Sequence, residues 1–332
     1  MTQQELNDKL FEAVKNDDLD QVKELISNGA DANAQTFNEC PVLVYASDPA
    51  IAEFLIEHGA DVNHMNDSGI TPLHDAIFEN NIDVVRVLIK HGANVNSNTS
   101  PDIVDQIYKE FEELPYPNKA DTPLHWAAGK DNCEFAKILI ENGADVNLVD
   151  ARGQTPLHQV YNVETAQLLI DHGADVNAID SNGWTPLFYA PDVNIAKILV
   201  ENGADISIKD KYGWPALDMI VNTMVEDLNT TRPEYHKLQE IVNYLVPLYR
   251  AKGLISTQLE LNKALFESIA NKNVYDVESM VIMGADIDAV NKNGETPLEL
   301  AQRKLTEENL STEEKQKIQS VIDYLKSLGA EE

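Results

Sequence analysis

The sequence predicts an all-α array of stacked helix-turn-helix repeats, and three observations support this fold class. A Gly-Ala-Asp or Gly-Ala-Asn triplet recurs along the chain, beginning at Gly29, Gly59, Gly92, Gly143, Gly173, Gly203 and Gly284. A second signature, Thr-Pro-Leu, recurs between the triplets, beginning at Thr71, Thr122, Thr155, Thr185 and Thr296. Two short apolar stripes with helical spacing lie between a signature and the next triplet. Regular self-similarity of this kind is typical of a solenoid.

Each repeat carries its own helix starts and stops. The signature Thr can accept a hydrogen bond from a free backbone N–H, and Pro at the first helical position has no N–H to lose. The triplet Gly ends the second helix because it adopts the left-handed conformation without a Cβ penalty. Short turns such as 180–183, Asp-Ser-Asn-Gly, lead to the next signature. The sequence therefore predicts helix pairs joined by β-turn or hairpin-like loops.

These units resemble the ankyrin repeat, whose unit of about 33 residues carries a Thr-Pro-Leu-His-x-Ala signature. The resemblance covers nearly the whole chain and implies about nine repeats. Repeats one to four span 5–34, 38–63, 66–96 and 117–147; repeats five to seven begin at Asp150, Asp180 and Asp210; repeats eight and nine span 259–288 and 291–330. We expect an N-terminal cap with repeats one to three in 1–96, repeats four to seven in 117–256, and repeats eight and nine with a C-terminal cap in 257–332.

Several repeats depart from the regular length. From the signature Pro to the triplet Gly, repeats two, five and six are two or three residues shorter than repeats three and four. Because three residues are nearly one helical turn, these repeats are predicted to have a stunted first helix or a tightened turn. Extra residues are predicted at 97–116, at 222–236 and at 303–317. The 97–116 insertion is predicted to be helical, and it either covers apolar surface of the stack or contacts a partner.

The eighth repeat resembles the first. Leu261-Asn-Lys-Ala-Leu-Phe266 aligns with Leu6-Asn-Asp-Lys-Leu-Phe11, and no Thr-Pro pair opens the repeat. Either two stacks of seven and two repeats are joined, or one stack continues through a degenerate seventh repeat. Because about three repeats are needed to bury a continuous core, we expect one continuous stack.

Composition excludes several classes of protein. Lys plus Arg is 25 and Asp plus Glu is 56, so the net charge is −31. This charge argues against nucleic acid and anionic membranes as partners and favours a basic protein. Two cysteines, Cys40 and Cys133, are too few for a disulfide framework and are predicted to be reduced. No apolar run approaches a membrane span, and the N-terminus lacks the features of a signal peptide. A cytoplasmic protein is expected, with delivery into a host cell left open.

Motifs of catalysis are lacking in the sequence. None of the common nucleotide, zinc-protease or serine-hydrolase motifs occurs. The resemblance implies that the signature histidines, His74, His125 and His158, bond the backbone of neighbouring repeats. We therefore predict no catalytic residue, no metal, no cofactor and no enzymatic activity.

The resemblance also implies where a partner protein would bind. In this family, partners are contacted by the turn tips and by the exposed side of each first helix, on the concave face. All three tryptophans fall at such positions in repeats four to seven, and Trp and Tyr are enriched in binding hot spots. The predicted site comprises Trp126, Arg152, Trp184, Tyr189, Tyr212 and Trp214, with a second strip at Asp75 and Phe78. The alternative for each Trp is packing on a neighbouring turn.

The resulting functional prediction is a monomeric, non-enzymatic protein-protein interaction module that binds a partner with a basic surface. One alternative is an acidic inhibitor, an immunity-type protein or antitoxin that masks a basic enzyme or toxin. Tight one-to-one binding with strong salt dependence would mark this alternative. The other alternative is an effector or adaptor that recruits host proteins.

Overall fold

The computed structural model describes residues 1–36, 40–99, 121–130, 132–226, 233–254, 258–308 and 310–330. Within these ranges the regular elements are helices, and two isolated bridges, Gln35 with Pro41 and Lys209 with Pro215, close loops between repeats. The predicted all-α fold class is confirmed. Most of the predicted 97–116 insertion lies outside the described residues. No helix in the described ranges is both long and apolar enough to cross a membrane.

Each repeat contributes a first and a second helix. In repeats one to three the pairs are Gln3–Lys15 with Leu19–Ser27, Val42–Tyr45 with Pro49–Glu57, and Pro72–Phe78 with Ile82–Lys90. In repeats four to six they are Pro123–Ala128 with Glu134–Glu141, Pro156–Gln159 with Val163–Asp171, and Pro186–Tyr189 with Val193–Glu201. In repeats seven to nine they are Ala216–Glu226 with Pro233–Ala251, Gln258–Ala270 with Val274–Ile282, and Pro297–Leu305 with Thr312–Ser327.

The predicted helix starts and stops are confirmed. The hydroxyl of Thr122 accepts a hydrogen bond from the backbone N–H of His125 at 3.4 Å, while His125 Nδ1 accepts one from the Thr122 N–H at 3.1 Å. Pro123 is the first helical residue. At the other end of the repeat, Gly143 follows the second helix with φ +89°, the left-handed conformation that only Gly adopts without strain.

The shortened repeats have the stunted first helices that their length predicts. Val42–Tyr45, Pro156–Gln159 and Pro186–Tyr189 are 3₁₀ turns of 4 residues, whereas Pro72–Phe78 in repeat three is an α-helix of 7 residues. In the predicted insertion at 222–236, the first helix extends to Glu226 and the second begins at Pro233; residues 227–232 lie outside the described ranges. The predicted addition at 303–317 lengthens both helices of repeat nine.

Asparagines link successive repeats. The Nδ2 of Asn33 donates to the Gly59 carbonyl at 2.6 Å, and its Oδ1 accepts from the Asp61 N–H at 2.8 Å. The same pair of hydrogen bonds recurs at Asn63, Asn96 and Asn147. We call Asn33, Asn63, Asn96 and Asn147 the asparagine ladder. Each of its members fixes the turn of the following repeat.

In two repeats, the asparagine that accepts the hydrogen bond from the turn N–H belongs to the same repeat as the turn. The Asn7 Oδ1 accepts from the Asp31 N–H at 3.0 Å, and the Asn262 Oδ1 accepts from the Asp286 N–H at 2.8 Å. Asn7 and Asn262 occupy matching positions in repeats one and eight. The likeness between these repeats that the sequence indicates therefore extends to their hydrogen bonding.

The chain divides into two compact units. The first contains residues 1–189 and 201–203, and the second contains residues 190–200 and 204–332. Within the first unit, the first helix of repeat three packs on the first helix of repeat four. Within the second unit, the first helix of repeat seven packs instead on the second helix of repeat eight, and repeats eight and nine share one apolar cluster. One continuous stack stays a prediction.

Candidate protein-binding surface

The signature histidines hold the first helices of neighbouring repeats together. His74 Nε2 lies 3.2 Å from the Asp121 carbonyl, His125 Nε2 2.9 Å from the Gln154 carbonyl, and His158 Nε2 3.1 Å from the Trp184 carbonyl. In each of the three rings, Nδ1 accepts from the backbone N–H of the signature Thr, so Nε2 carries the proton that is donated to the carbonyl. Burial lowers the pKa of all three imidazoles, that of His74 to about 4. The structural role that the family resemblance implies is confirmed.

The residue after the signature His occupies one equivalent position in successive first helices. In repeats three to five these residues are Asp75, Trp126 and Gln159, and Tyr189 follows Phe188 in repeat six. We call the surface that carries them the first-helix surface. Gln159 was not among the predicted site residues, although its place in the signature could have identified it. Its Nε2 lies 3.4 Å from Asp121 Oδ1 and 3.5 Å from Asp150 Oδ2, so it ties this surface to two turns.

Trp126 and Phe78 form one aromatic cluster, although the sequence assigned them to two separate strips. The ring centroid of Trp126 lies 5.1 Å from that of His74 and 6.1 Å from that of Phe78, both in edge-on geometry. The Lys130 Nζ donates to the Phe78 carbonyl at 2.8 Å and lies 5.4 Å from the centre of the Phe78 ring. Trp126 is half-buried in this cluster, whereas Phe78 is 44% exposed. Phe78 is thus the apolar side chain that the cluster presents to solvent.

Trp184 packs within its own repeat. Its ring is nearly parallel to that of Phe188, at 6.1 Å between centroids and an interplanar angle of 9°, and it meets Tyr189 edge-on at 5.4 Å. This contact is of the intramolecular kind that the sequence left open for each Trp. The half-buried ring still borders the first-helix surface, and its contact with a partner stays a prediction.

Arg152, Tyr189 and Asp180 belong to one hydrogen-bond network. The Tyr189 hydroxyl donates to Asp180 Oδ2 at 2.8 Å and accepts from Gln154 Nε2 at 2.6 Å, and the Arg152 Nη2 donates to Gln154 Oε1 at 2.6 Å. Burial opposes ionisation of Asp180, but hydrogen bonds from Trp184 N–H and the Tyr189 hydroxyl outweigh it and hold its pKa below the usual value. Burial and the Asp180 charge raise the pKa of Tyr189. The network fixes two turns and leaves the side chain of Arg152 47% exposed.

Tyr212 and Trp214 lie in the second unit and are exposed to 73% and 45%. The Asp210 Oδ1 accepts hydrogen bonds from the backbone N–H groups of both residues, at 2.9 Å and 2.8 Å, which fixes the turn that carries them. The Lys211 Nζ lies 5.2 Å from the centre of the Tyr212 ring. Trp214 also borders a shallow cavity of about 220 Å³ together with Tyr275 and Met280. The turn therefore presents two aromatic side chains to solvent.

Metal-binding chemistry finds no support among the described residues, since they contain no group of three or more His, Cys, Asp or Glu side chains suited to an ion. Cys40 and Cys133 are half-buried and are not joined in a disulfide.

Comparison with known proteins identifies the repeat. The family profile described as ankyrin repeats (3 copies) matches residues 10–99, 97–161 and 124–210. The chain is 31% identical over 153 residues to the putative ankyrin repeat protein FPV230 of fowlpox virus, a match that covers 45% of this chain and 71% of that protein. It is 29% identical over 186 residues to the probable palmitoyltransferase AKR2 of Saccharomyces uvarum, covering 45% of this chain and 24% of that protein. The chain thus spans about a quarter of this relative.

Solved structures of ankyrin repeat domains have the same fold. The human ASB11 ankyrin repeat domain matches with a TM-score of 0.54 and 25% identity, covering 69% of this chain and 95% of that domain. The ankyrin repeat domain of Bcl-3 matches with a TM-score of 0.52 and 25% identity, covering 63% and 91%. With the signature caps, the histidine bonds and the asparagine ladder, these matches show that the chain belongs to the ankyrin-repeat family.

Proposed function

We propose that this chain is a non-enzymatic protein-binding module whose partner contacts the concave first-helix surface. Ankyrin repeats are in general protein-protein interaction modules. The observation that carries the proposal is the aromatic cluster of Trp126 and Phe78, which presents the large apolar ring of Phe78 to solvent. Exposed aromatic groups of this kind supply much of the binding energy in protein interfaces.

The proposed binding residues fall in both units. In the first unit they are Asp75, Phe78, Trp126, Arg152, Trp184 and Tyr189, and in the second they are Tyr212 and Trp214. The net charge of −31 favours a partner with a basic surface. A monomer in the cytoplasm is part of the same proposal, because free, half-buried thiols are typical of a reducing compartment. Sedimentation of the purified chain would test the monomer.

A partner captured from a lysate of the source cells allows the site to be tested by calorimetry. We expect Phe78→Ala and Trp214→Ala each to weaken binding of the purified partner by about tenfold or more, which corresponds to about 1.4 kcal/mol. Both side chains are exposed, so circular dichroism of the variants should match that of the wild type. Testing the variants separately also shows which of the two units carries the contact.

Leu328→Ala is the matched control, because Leu328 is exposed to 43% and lies outside the proposed site. An unchanged Kd for both Phe78→Ala and Trp214→Ala would contradict the assignment of the site. Failure of the wild type to retain any protein would contradict the proposed function itself.

The charge supports a second candidate, an inhibitor that masks a basic enzyme or toxin. Such a complex should lose affinity steeply as salt is added, since screening weakens long-range attraction. An activity assay of the captured partner separates the two candidates. Loss of the partner's activity at one-to-one stoichiometry identifies an inhibitor, and full activity identifies an adaptor.

A further inference from the structure

A cavity of about 450 Å³ opens between repeats two and three. It lies beside the place where the first helix of repeat two is cut to the single turn Val42–Tyr45, whereas the first helix of repeat three continues to Phe78. Apolar side chains form much of its lining, among them Leu43, Val44, Ala76 and Val84. The short helix thus leaves a space large enough for a long side chain of another molecule.

Polar groups converge on the same cavity. The Cys40 thiol, the Tyr45 ring and the carboxylates of Asp75 and Glu79 all line it. Within the described part of the chain, the Asp75 carboxylate has no hydrogen-bond or ion-pair partner. A half-buried acid without a partner favours a cation that comes from outside the chain.

Two lysines lie near the cavity, and each of them contacts another group. The Lys15 Nζ lies 4.6 Å from the centre of the Tyr45 ring, on which it is placed for a cation–π contact. The Lys130 Nζ donates to the backbone carbonyl of Phe78. Glu79 adds a further negative charge beside Asp75. Neither lysine is among the residues that line the cavity, and neither forms a described ion pair with Asp75.

We propose that this cavity, which we call the acidic cavity, receives an arginine or lysine side chain of the partner protein. The aliphatic part of that side chain packs against Leu43 and Val84, and its cationic group pairs with Asp75. The proposal rests on the proposed function, and charge complementarity supports it, since a protein of net charge −31 favours basic partners. The acidic cavity would anchor the partner at the N-terminal end of the binding surface.

Protonation should control this site. Burial, with a smaller contribution from Glu79, raises the pKa of Asp75 to about 7. Burial also raises the pKa of the Cys40 thiol and of the Tyr45 hydroxyl, so both stay neutral up to pH 8. The other charged groups in this region are Glu79, which lines the cavity, and Lys15 and Lys130, which lie near it. With a pKa of about 7, Asp75 changes charge between pH 6 and 8, and a bound cation would favour its ionised form.

A model cation tests the site without the partner. The uniformly ¹⁵N-labelled full chain is titrated with Nα-acetyl-arginine amide, and with Nα-acetyl-norleucine amide as the neutral analogue. We expect shifts of backbone amides in residues 40–47 and 72–84 with the arginine compound alone. Binding should be about tenfold weaker at pH 6 than at pH 8, because guanidinium stays charged throughout while an acid of pKa about 7 loses most of its charge.

Two variants assign the effect to the proposed acid. Asp75→Asn should weaken binding of the arginine compound at pH 8 by at least about tenfold and abolish its pH dependence. Asp83→Asn removes the same charge from the second helix of the same repeat and should keep the affinity within about twofold. A second readout is alkylation, in which the arginine compound should protect Cys40 and leave Cys133 unprotected.

Three results would overturn the proposal: no localised shifts with the arginine compound, equal shifts with the neutral analogue, or equal binding by Asp75→Asn and the wild type. Each of them is obtained without a partner protein. A failure of the acidic cavity is therefore distinct from a failure to capture a partner, which would count against the proposed function.

Discussion

Buried histidines in the signature are neutral at pH 7, and this gives the first unit a specific response to acid. His74 is fully buried, and burial lowers its pKa from 6.5 to about 4. As the pH falls below 6.5, the unfolded chain takes up a proton at this site and the folded chain does not. Stability from His74 is therefore complete above pH 6.5 and is lost as the pH falls toward 4.

From this shift we expect His74 alone to account for a loss of about 2 kcal/mol in the free energy of unfolding between pH 7 and pH 5. Urea unfolding of the wild type and of His74→Gln at both pH values isolates the contribution. His74→Gln should be less stable at pH 7 and should show a shallower pH dependence. Parallel slopes for wild type and His74→Gln would show that the buried imidazole is not the source.

Single helices and turns follow from local signals, which is why the sequence predicts them. Thr-Pro and Gly act within a few residues, so the helix starts at Pro72 and Pro123 and the left-handed Gly143 are all foreseen. Counting residues between Pro and Gly also predicts the stunted first helices of repeats two, five and six. These features depend on residues that are close in sequence and not on contacts between residues that are distant in sequence.

Contacts between elements were less predictable. Phe78 and Trp126 meet across two repeats that are separated in sequence by the 97–116 segment, and no local pattern indicates that contact. Trp184 occupies a turn position at which a tryptophan can either contact a partner or stack on a ring of its own chain. The sequence does not show that the Phe188 ring lies against it. The acidic cavity follows from a helix that ends early beside one that does not. Its volume depends on the difference in length between the first helices of two neighbouring repeats.

The asparagine ladder makes the stability of one repeat depend on its neighbour. Asn147→Ala removes two hydrogen bonds to the next repeat, one to the Gly173 carbonyl and one from the Asp175 N–H. We expect a loss of about 1–3 kcal/mol in the free energy of unfolding and at least about tenfold faster hydrogen exchange at the Asp175 amide. The exposed Asn28, which lies outside the ladder, serves as the control in the variant Asn28→Ala. Unchanged exchange at Asp175 would contradict the role of the ladder.

At the scale of the whole molecule, the dominant property is charge. A net charge of −31 makes the compact state repel itself, and screening relieves that repulsion. The Debye length falls from about 30 Å at 0.01 M salt to about 8 Å at 0.15 M. We expect Tm to rise by several degrees between these salt concentrations. Choline chloride should act like sodium chloride, and a Tm that stays constant or falls would show that self-repulsion does not limit stability.

Each asparagine of the ladder accepts a hydrogen bond from the turn of the next repeat along the chain. Removing repeats from the N-terminal side therefore has a different effect from removing them from the C-terminal side. Every member of the ladder serves the turn that follows it, and the first repeat supplies Asn7 for its own turn. A shortened chain that ends after any of these repeats keeps all the acceptors that its turns need. One that begins at repeat three lacks Asn63, so the Asn94 N–H of its first turn has lost its acceptor. The ladder thus gives these repeats a polarity: truncation from the N-terminal side costs the first remaining turn its acceptor, and truncation from the C-terminal side does not.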